Sequence, residues 1–204
     1  MASPVGLVLG HSFVHSIHSH LKNSSRNSPA DIARTLHLHY IISELHMHGI
    51  RGARICHTSF SIPHDLLLQS TPDFVILDFG SNDLASGSSP LQVASRLIQL
   101  AERLRSQYHV RSIVICSVLH RQAHLRTLSP QQFSAAALQL NSLMKDYAGT
   151  DPLTFYHNHK GFWTTPVQAW SRDGVHPNST LGRKRYSKSL RKASFLALQG
   201  LTRS

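Results

Sequence analysis

An aspartate and a histidine stand three residues apart in segment 171–178, which reads Ser-Arg-Asp-Gly-Val-His-Pro-Asn. A turn held by Gly174 and Pro177 would let the Asp173 carboxylate bind one imidazole nitrogen of His176 and leave the other nitrogen facing a cleft. A histidine that acts as a general base is oriented in this way. The same residue types also form ordinary surface turns, so the segment alone leaves both interpretations open.

A candidate nucleophile lies near the other end of the chain. The apolar run 5–9 predicts a buried strand, and Gly10, His11 and Ser12 follow it. Glycine allows a sharp turn, and a helix that opens at Ser12 would offer backbone N–H groups to an oxyanion. The alternative is that Ser12 is an ordinary helix N-cap.

A third segment combines a buried strand with a side-chain donor. The apolar run 74–79 is followed by Gly80, Ser81, Asn82 and Asp83. The amide of Asn82 could donate a hydrogen bond to a reacting carbonyl oxygen, although asparagine is also a common turn former. Asp83 could compete as the acidic partner of the histidine.

Strand-like and helix-like segments alternate along the chain. Such alternation predicts an α/β fold, a three-layer α/β/α sandwich with a mainly parallel central sheet and with functional loops at the carboxyl ends of the strands. The expected strands are 5–9, 45–50, 74–79, 111–118 and 153–156, and the expected helices are 13–21, 29–36, 62–68, 90–107, 130–147 and 178–198.

Length and composition favour one globular domain spanning residues 1–204, because 204 residues with 41% apolar content can bury a sizeable core. We find no signal peptide and no apolar stretch long enough for a membrane span, so we expect an intracellular, cytoplasmic protein. Cys56 and Cys116 are too few for a disulfide framework and are expected to be free core thiols.

The charge balance is strongly basic, with 21 Lys and Arg against 10 Asp and Glu and a net charge of +11. We therefore expect a polyanionic partner, either RNA or an anionic membrane, bound in a salt-dependent way. The densest basic cluster falls in the last predicted helix, where a solvated helix face would give the same pattern. Its members are Arg183, Lys184, Arg185, Lys188, Arg191 and Lys192.

Histidines at positions 11, 15 and 18 could share one helix face and bind a metal ion. No carboxylate or thiol lies within that window, and the chain holds 16 histidines in all, so chance spacing explains the pattern. We expect neither a metal nor another cofactor.

In chain order, these segments resemble the motif blocks of the SGNH, or GDSL-type, hydrolases, a family of esterases and lipases. The first block is 10–13 (Gly-His-Ser-Phe), the third is 80–83 (Gly-Ser-Asn-Asp) and the fifth is 173–176 (Asp-Gly-Val-His). The second block is placed at Gly52 by position only, and Gly49 is its rival.

The resemblance implies a flavodoxin-like SGNH hydrolase fold and a carboxylic ester hydrolase acting on short-chain or lipid-like acyl esters. Ser12 would be the nucleophile, His176 the base and Asp173 the residue that orients the base. The oxyanion hole would consist of the backbone N–H groups of Ser12 and Gly52 and the side-chain amide of Asn82.

This chain departs from the family pattern at His11, because the family usually has Asp before the Ser. The small size, the basic charge and the segment from Asp173 to Pro177 also resemble the esterase domains of retrotransposons, including first-open-reading-frame proteins of LINE-type elements. A second interpretation is a catalytically weak or inactive SGNH-fold module that binds RNA or anionic membrane. Ester turnover distinguishes the two.

Overall fold

The computed structural model describes residues 3–24, 36–56, 64–123, 127–163 and 169–202. The helix predicted at 29–36 lies outside these residues, apart from Leu36. The first two residues of the helix predicted at 62–68 also lie outside them. None of the described helices combines the length and the hydrophobicity that a membrane span requires.

Five parallel strands form the central sheet, in the order β2-β1-β3-β4-β5. Every residue of β3 and β4 is buried, because helices cover both faces of the sheet. This explains why these strands read as continuous apolar runs rather than alternating ones. The strands are β1 (Val5–Gly10), β2 (Glu44–Gly49), β3 (Phe74–Asp78), β4 (Ser112–Cys116) and β5 (Thr154–His157).

The helices follow the strands as the sequence alternation predicts. Two of them begin at a serine followed by proline, and each serine, Ser89 and Ser129, forms a complete capping box with a glutamine. The described helices are α1 (Ser12–Ser24), α2 (His64–Ser70), α3 (Ser81–Ala85), α4 (Pro90–Tyr108), α5 (Pro130–Thr150) and α6 (Leu181–Leu201).

Two hydrophobic clusters lie on opposite faces of the sheet. One contains apolar residues of α1 and α6, including Val14 and Leu190, and the other contains residues of α4 and α5, including Leu97 and Phe133. The three-layer α/β/α architecture predicted from the sequence is therefore confirmed.

Two differences from the predicted elements, one helix boundary and one additional helix, have local reasons. The last helix begins at Leu181 rather than at 178, because Asn178 Oδ1 accepts hydrogen bonds from the N–H groups of Thr180 and Gly182. The short helix α3 was not predicted, since five residues are too few to show a helical period.

The strand order places β1 and β3 side by side at the centre, with Gly10 paired to Asp78 at their carboxyl ends. The connection after β1 leads outward to β2, whereas the chain after β3 leads to β4 on the other side. Such a reversal opens a crevice at the carboxyl ends of the strands. Ser12 and Asn82 follow these two strands directly.

Candidate active site

Ser12 is the first residue of α1, immediately beyond the carboxyl end of β1. Gly10 makes this turn possible, because a Cβ at that position would lie 2.9 Å from the carbonyl oxygen of Asp78 and 2.5 Å from Val14. Ser12 lines a cleft of ≈ 680 Å³. The other lining residues are His15, Ser16, Ser19, His20, Arg51, Gly52, Asn82, Arg121, Val175, His176 and Arg183.

Ser12, His176 and Asp173 form a continuous chain of hydrogen bonds. Ser12 Oγ lies 3.0 Å from His176 Nε2, and His176 Nδ1 lies 2.6 Å from Asp173 Oδ2. Because a carboxylate only accepts, Nδ1 carries the proton and Nε2 is left to accept from the serine hydroxyl. The fold thus joins two segments 164 residues apart in sequence.

Asp173 is held in place by its own turn. Its Oδ1 accepts hydrogen bonds from the N–H groups of Val175 and His176, each at 2.9 Å, and from the Ser171 hydroxyl at 2.5 Å. Partial desolvation by itself would raise the pKa of Asp173, but the hydrogen bonds from His176, Ser171 and Val175 outweigh it and lower the pKa well below its ordinary value. The carboxylate is therefore ionised at neutral pH.

Gly174 fastens this turn to the rest of the molecule. Its φ is +63°, and its carbonyl accepts a hydrogen bond of 2.8 Å from the N–H of Gln122. A Cβ at Gly174 would lie 2.8 Å from the backbone nitrogen of Ala123. Both the backbone conformation and the close approach therefore require glycine here.

The Asn82 side chain reaches the same cleft with a defined orientation. Arg121 Nη2 donates to Asn82 Oδ1 at 2.7 Å, and Asn82 Nδ2 donates to the carbonyl of Ala53 at 3.1 Å. A guanidinium has no acceptor, so the amide oxygen must face Arg121. One N–H of Nδ2 then remains for a ligand in the cleft.

Gly52 and Gly49, the two rival positions for the second motif block, lie in different surroundings. Gly52 lines the cleft with Ser12, has a φ of +71° and has open space where a Cβ would be. At Gly49 a Cβ would lie 2.1 Å from the backbone nitrogen of His15, so this glycine lets α1 pack closely on β2. Gly52 therefore borders the cleft, whereas Gly49 serves the packing of α1 on β2.

Comparison with known families agrees with this geometry. The GDSL-like Lipase/Acylhydrolase family model matches residues 8–181, which is most of the chain. The chain belongs to this family. No curated protein sequence matches this GDSL-like chain.

Solved structures of esterases share the fold of this GDSL-like protein. A carbohydrate acetylesterase family member from Sinorhizobium meliloti has a TM-score of 0.65 at 16% identity, with 98% of this chain and 99% of that chain covered. The psychrotrophic esterase EstA from Pseudoalteromonas has a TM-score of 0.61 at 14% identity, covering 99% and 100%. A GDSL-like lipase from Bacteroides thetaiotaomicron has a TM-score of 0.62 at 15% identity, covering 93% and 87%.

His11, where this GDSL-like chain departs from the family pattern, is only 2% exposed. Burial lowers its pKa to about 3, with smaller contributions from the charges of Arg121 and His176. Its Nε2 lies 3.8 Å from Asp78 Oδ1, which is too long for a hydrogen bond. His11 is therefore a neutral core residue and not half of an ion pair.

Asp78 is buried beside His11 and accepts a hydrogen bond from the Tyr186 hydroxyl. Burial raises its pKa to about 7, and the bond from Tyr186 opposes this rise only in part. His159 Nε2 lies 3.9 Å from the same carboxyl group. These four side chains form a buried polar cluster that the motif pattern alone did not indicate.

Arg121 is the functional candidate that sequence reasoning missed. It is 7% exposed and donates to both the Ser81 hydroxyl and Asn82. Burial lowers its pKa to about 10, and the charge of Asp173 opposes this, so the guanidinium remains a cation at neutral pH. The sequence feature that could have identified Arg121 is its position shortly after β4, at the edge of the sheet where ligands bind.

Asp83, the rival acidic residue, is fully buried and accepts a hydrogen bond of 2.8 Å from the N–H of Cys56. Because His176 Nδ1 is already paired with Asp173, Asp83 is not its partner. Cys56 and Cys116 are free thiols, and only Cys116 is fully buried.

The six basic residues of α6 do not form one patch. Arg183, Lys184, Lys188 and Arg191 line a groove of ≈ 610 Å³ next to the cleft. Arg185 instead donates to the carbonyl of Gly161 at 2.9 Å. Lys192 lies on the other flank, where its charge helps to lower the pKa of His157, after burial as the main cause.

The histidines at positions 11, 15 and 18 are not joined into a metal site. His11 is buried against Phe13, and His15 Nδ1 lies 3.2 Å from the carbonyl oxygen of Gly49. Among the residues that the structure describes, no group of three or more His, Cys, Asp or Glu side chains is arranged to hold a metal ion.

Proposed function

We propose that this protein is a serine esterase that hydrolyses acyl esters of carboxylic acids. The observation that supports this most directly is the contact of 3.0 Å between Ser12 Oγ and His176 Nε2, with Asp173 2.6 Å from the other ring nitrogen. Ser12 attacks the ester carbonyl while His176 takes its proton and then delivers it to the leaving alcohol. Water releases the acyl group from Ser12 in the second half of the reaction.

Three donors are available for the negative charge that develops on the carbonyl oxygen. They are the N–H groups of Ser12 and Gly52 and the free N–H of Asn82 Nδ2. Removal of one such donor costs about 3–4 kcal/mol of transition-state stabilisation. The amide of Asn82 is already oriented by Arg121 and Ala53, so it does not have to reorganise during the reaction.

The cleft favours short acyl groups over lipid-like ones. Among the residues that line it in the described part of the chain, Val175 is the only one with an aliphatic side chain. A long acyl chain gains about 0.8 kcal/mol for each buried CH₂, but only where an apolar wall receives it. The carbohydrate acetylesterase family member from Sinorhizobium meliloti shares this fold, and its name is consistent with a small acyl group.

Hydrolysis of p-nitrophenyl esters of increasing acyl length tests the proposal. We expect the acetate to be preferred and Ser12→Ala or His176→Ala to lower kcat by a factor on the order of 10⁴. A fluorophosphonate should label Ser12, as located by mass spectrometry. Ser95→Ala, on the exposed side of α4, serves as the control. Unchanged turnover in Ser12→Ala protein would overturn the assignment.

The second candidate is an inactive module that binds RNA or anionic membrane through α6, as the basic groove and the net charge of +11 suggest. It predicts no ester turnover and a salt-dependent affinity for polyanions that weakens when Arg183, Lys184 and Arg185 are changed to Glu. The context of a mobile-element protein stays a prediction from the sequence.

A further inference from the structure

The cleft at Ser12 continues into the basic groove along α6. Both cavities are lined by His20 and Arg183, which therefore form the boundary between them. Beyond that boundary the groove is lined by Lys184, Lys188 and Arg191. Positions 183 and 191 are eight residues apart, so this row of cations extends about 12 Å along the helix. An extended substrate can occupy the cleft and the groove together.

In the part of the chain that the structure describes, no carboxylate faces the basic residues of the groove. Within the described ranges, no Asp or Glu lines either cavity and no ion pair involves Arg183, Lys184, Lys188 or Arg191. Arg183 Nη1 instead donates to His20 Nδ1 at 3.0 Å. Burial and the charge of Arg183 lower the pKa of His20, so this partner is neutral.

Arg183 lies near His176, the residue that would protonate the leaving alcohol. A small void is lined by Phe13, His176 and Arg183 together, so Arg183 and His176 border the same space. In a serine esterase the histidine delivers its proton to the leaving alcohol, so the alcohol departs on the histidine side. Gly52 and Asn82, the proposed oxyanion donors, line the cleft but are not among the residues that line this small void.

We propose that the substrate is an acyl ester whose alcohol carries a phosphate group, which binds to Arg183, Lys184 and Lys188. Guanidinium and ammonium groups are the usual partners of phosphate oxygens. The inference rests on the proposed esterase function. Ser12 forms the acyl bond as the bond between the carbonyl carbon and the alcohol oxygen breaks, and His176 protonates that oxygen. Water then yields the carboxylic acid and the phosphorylated alcohol.

Matched pairs of soluble esters test this inference. We compare 1-acetylglycerol 3-phosphate with 1-acetylglycerol, and a 3′-O-acetylated nucleoside 5′-monophosphate with the corresponding acetylated nucleoside. Charge-assisted hydrogen bonds to the phosphate should raise kcat/KM by about tenfold or more, and high salt should reduce this preference. The pair that gives the larger ratio of kcat/KM with and without phosphate shows whether the phosphate belongs to a lipid-type or a nucleotide-type alcohol.

Two double variants with the same loss of charge locate the site. Lys184→Gln with Lys188→Gln removes two cations from the groove and should reduce the phosphate preference severalfold. The control, Lys160→Gln with Lys192→Gln, removes two cations near His157 on the other flank of α6 and should keep that preference. If both variants lose the preference equally, the overall charge is responsible and the groove assignment is wrong.

Binding to Ser12→Ala protein gives a readout that does not depend on turnover. Calorimetric titration with 1-acetylglycerol 3-phosphate should show tighter binding than with 1-acetylglycerol. Equal binding, or equal kcat/KM within each pair of esters, overturns the phosphate site while ester hydrolysis still supports the esterase. Absence of both ester turnover and fluorophosphonate labelling at Ser12 overturns the esterase and the phosphate site together.

Discussion

Arg121 is a buried residue that orients the side chain of another residue in the cleft. Its guanidinium donates to Asn82 Oδ1 and so directs an N–H of the amide into the cleft. If Asn82 is an oxyanion donor, as proposed, loss of this contact would let the amide rotate and present its oxygen, which the oxyanion would repel. Arg121 also lies at 5.3 Å over the ring of Phe133, which holds the guanidinium plane in place.

At this scale we predict that Arg121→Lys lowers kcat by about 10- to 100-fold with little change in KM, because lysine keeps the charge but cannot reproduce the planar fork of donors. Steady-state kinetics with p-nitrophenyl acetate measures both constants. Asn82→Ala should give a similar loss, and the double variant should be hardly worse than Asn82→Ala alone. Additive losses in the double variant would contradict a role for Arg121 that acts through Asn82.

At the scale of elements, the site depends on a turn that must fit closely against a neighbouring loop. The turn from Ser171 to Asn178 carries both Asp173 and His176 and lies just before α6. It is fastened by a short antiparallel bridge between Trp170 and Pro177 and by the contact of Gly174 with Gln122. The imidazole reaches Ser12 only if this turn keeps its position.

We predict that Gly174→Ala lowers both stability and activity. The positive φ costs about 1 kcal/mol, and the contact of 2.8 Å with Ala123 N adds strain and displaces His176 from Ser12. Gly87→Ala is the matched control, because Gly87 has a φ of +91° and open space around a Cβ. Urea denaturation and ester turnover should show a loss of stability in both variants and a loss of kcat only in Gly174→Ala. Equal activity in both would contradict the contact argument.

At the scale of the whole molecule, buried titratable groups make stability depend on pH. Burial lowers the pKa of His11 and His159 to about 3 and that of His157 to about 4, from an ordinary value of 6.5. The unfolded chain therefore binds more protons below pH 6.5, and stability falls as the pH falls through this value. Asp78, with its pKa raised to about 7, has the opposite effect, because only the folded state keeps that proton.

The effect of the three histidines on stability is larger than that of Asp78. We therefore predict that the free energy of unfolding falls by about 3 kcal/mol between pH 7 and pH 5. Urea denaturation at the two pH values measures it. Asp78→Asn removes the opposing group, and asparagine can still accept from the Tyr186 hydroxyl. The loss between pH 7 and pH 5 should therefore become larger in this variant. A stability that stays constant or rises toward pH 5 would show that these histidines are not buried in neutral form.

The amino-acid sequence by itself determined the fold class and the order of the functional segments. Continuous apolar runs at 74–79 and 111–118 mark strands covered on both faces, and Ser-Pro-Gln patterns such as that at Ser129 mark helix starts, because these signals are local. The order of the motifs also predicted a common site, and the fold brings Ser12, Asn82 and His176 to one cleft, with Asp173 hydrogen-bonded to His176.

Only the tertiary structure decided which neighbours these residues have. The orientation of Asn82 by Arg121, the buried contact of His11 with Asp78, and the place of Gly52 in the cleft all join segments that are far apart in sequence. The basic residues of α6 separate into a groove and an opposite flank because 3.6 residues make one turn, and only the packed helix shows which flank faces the cleft. Sequence periodicity defines the faces of an element, whereas strand order and packing define what each face meets.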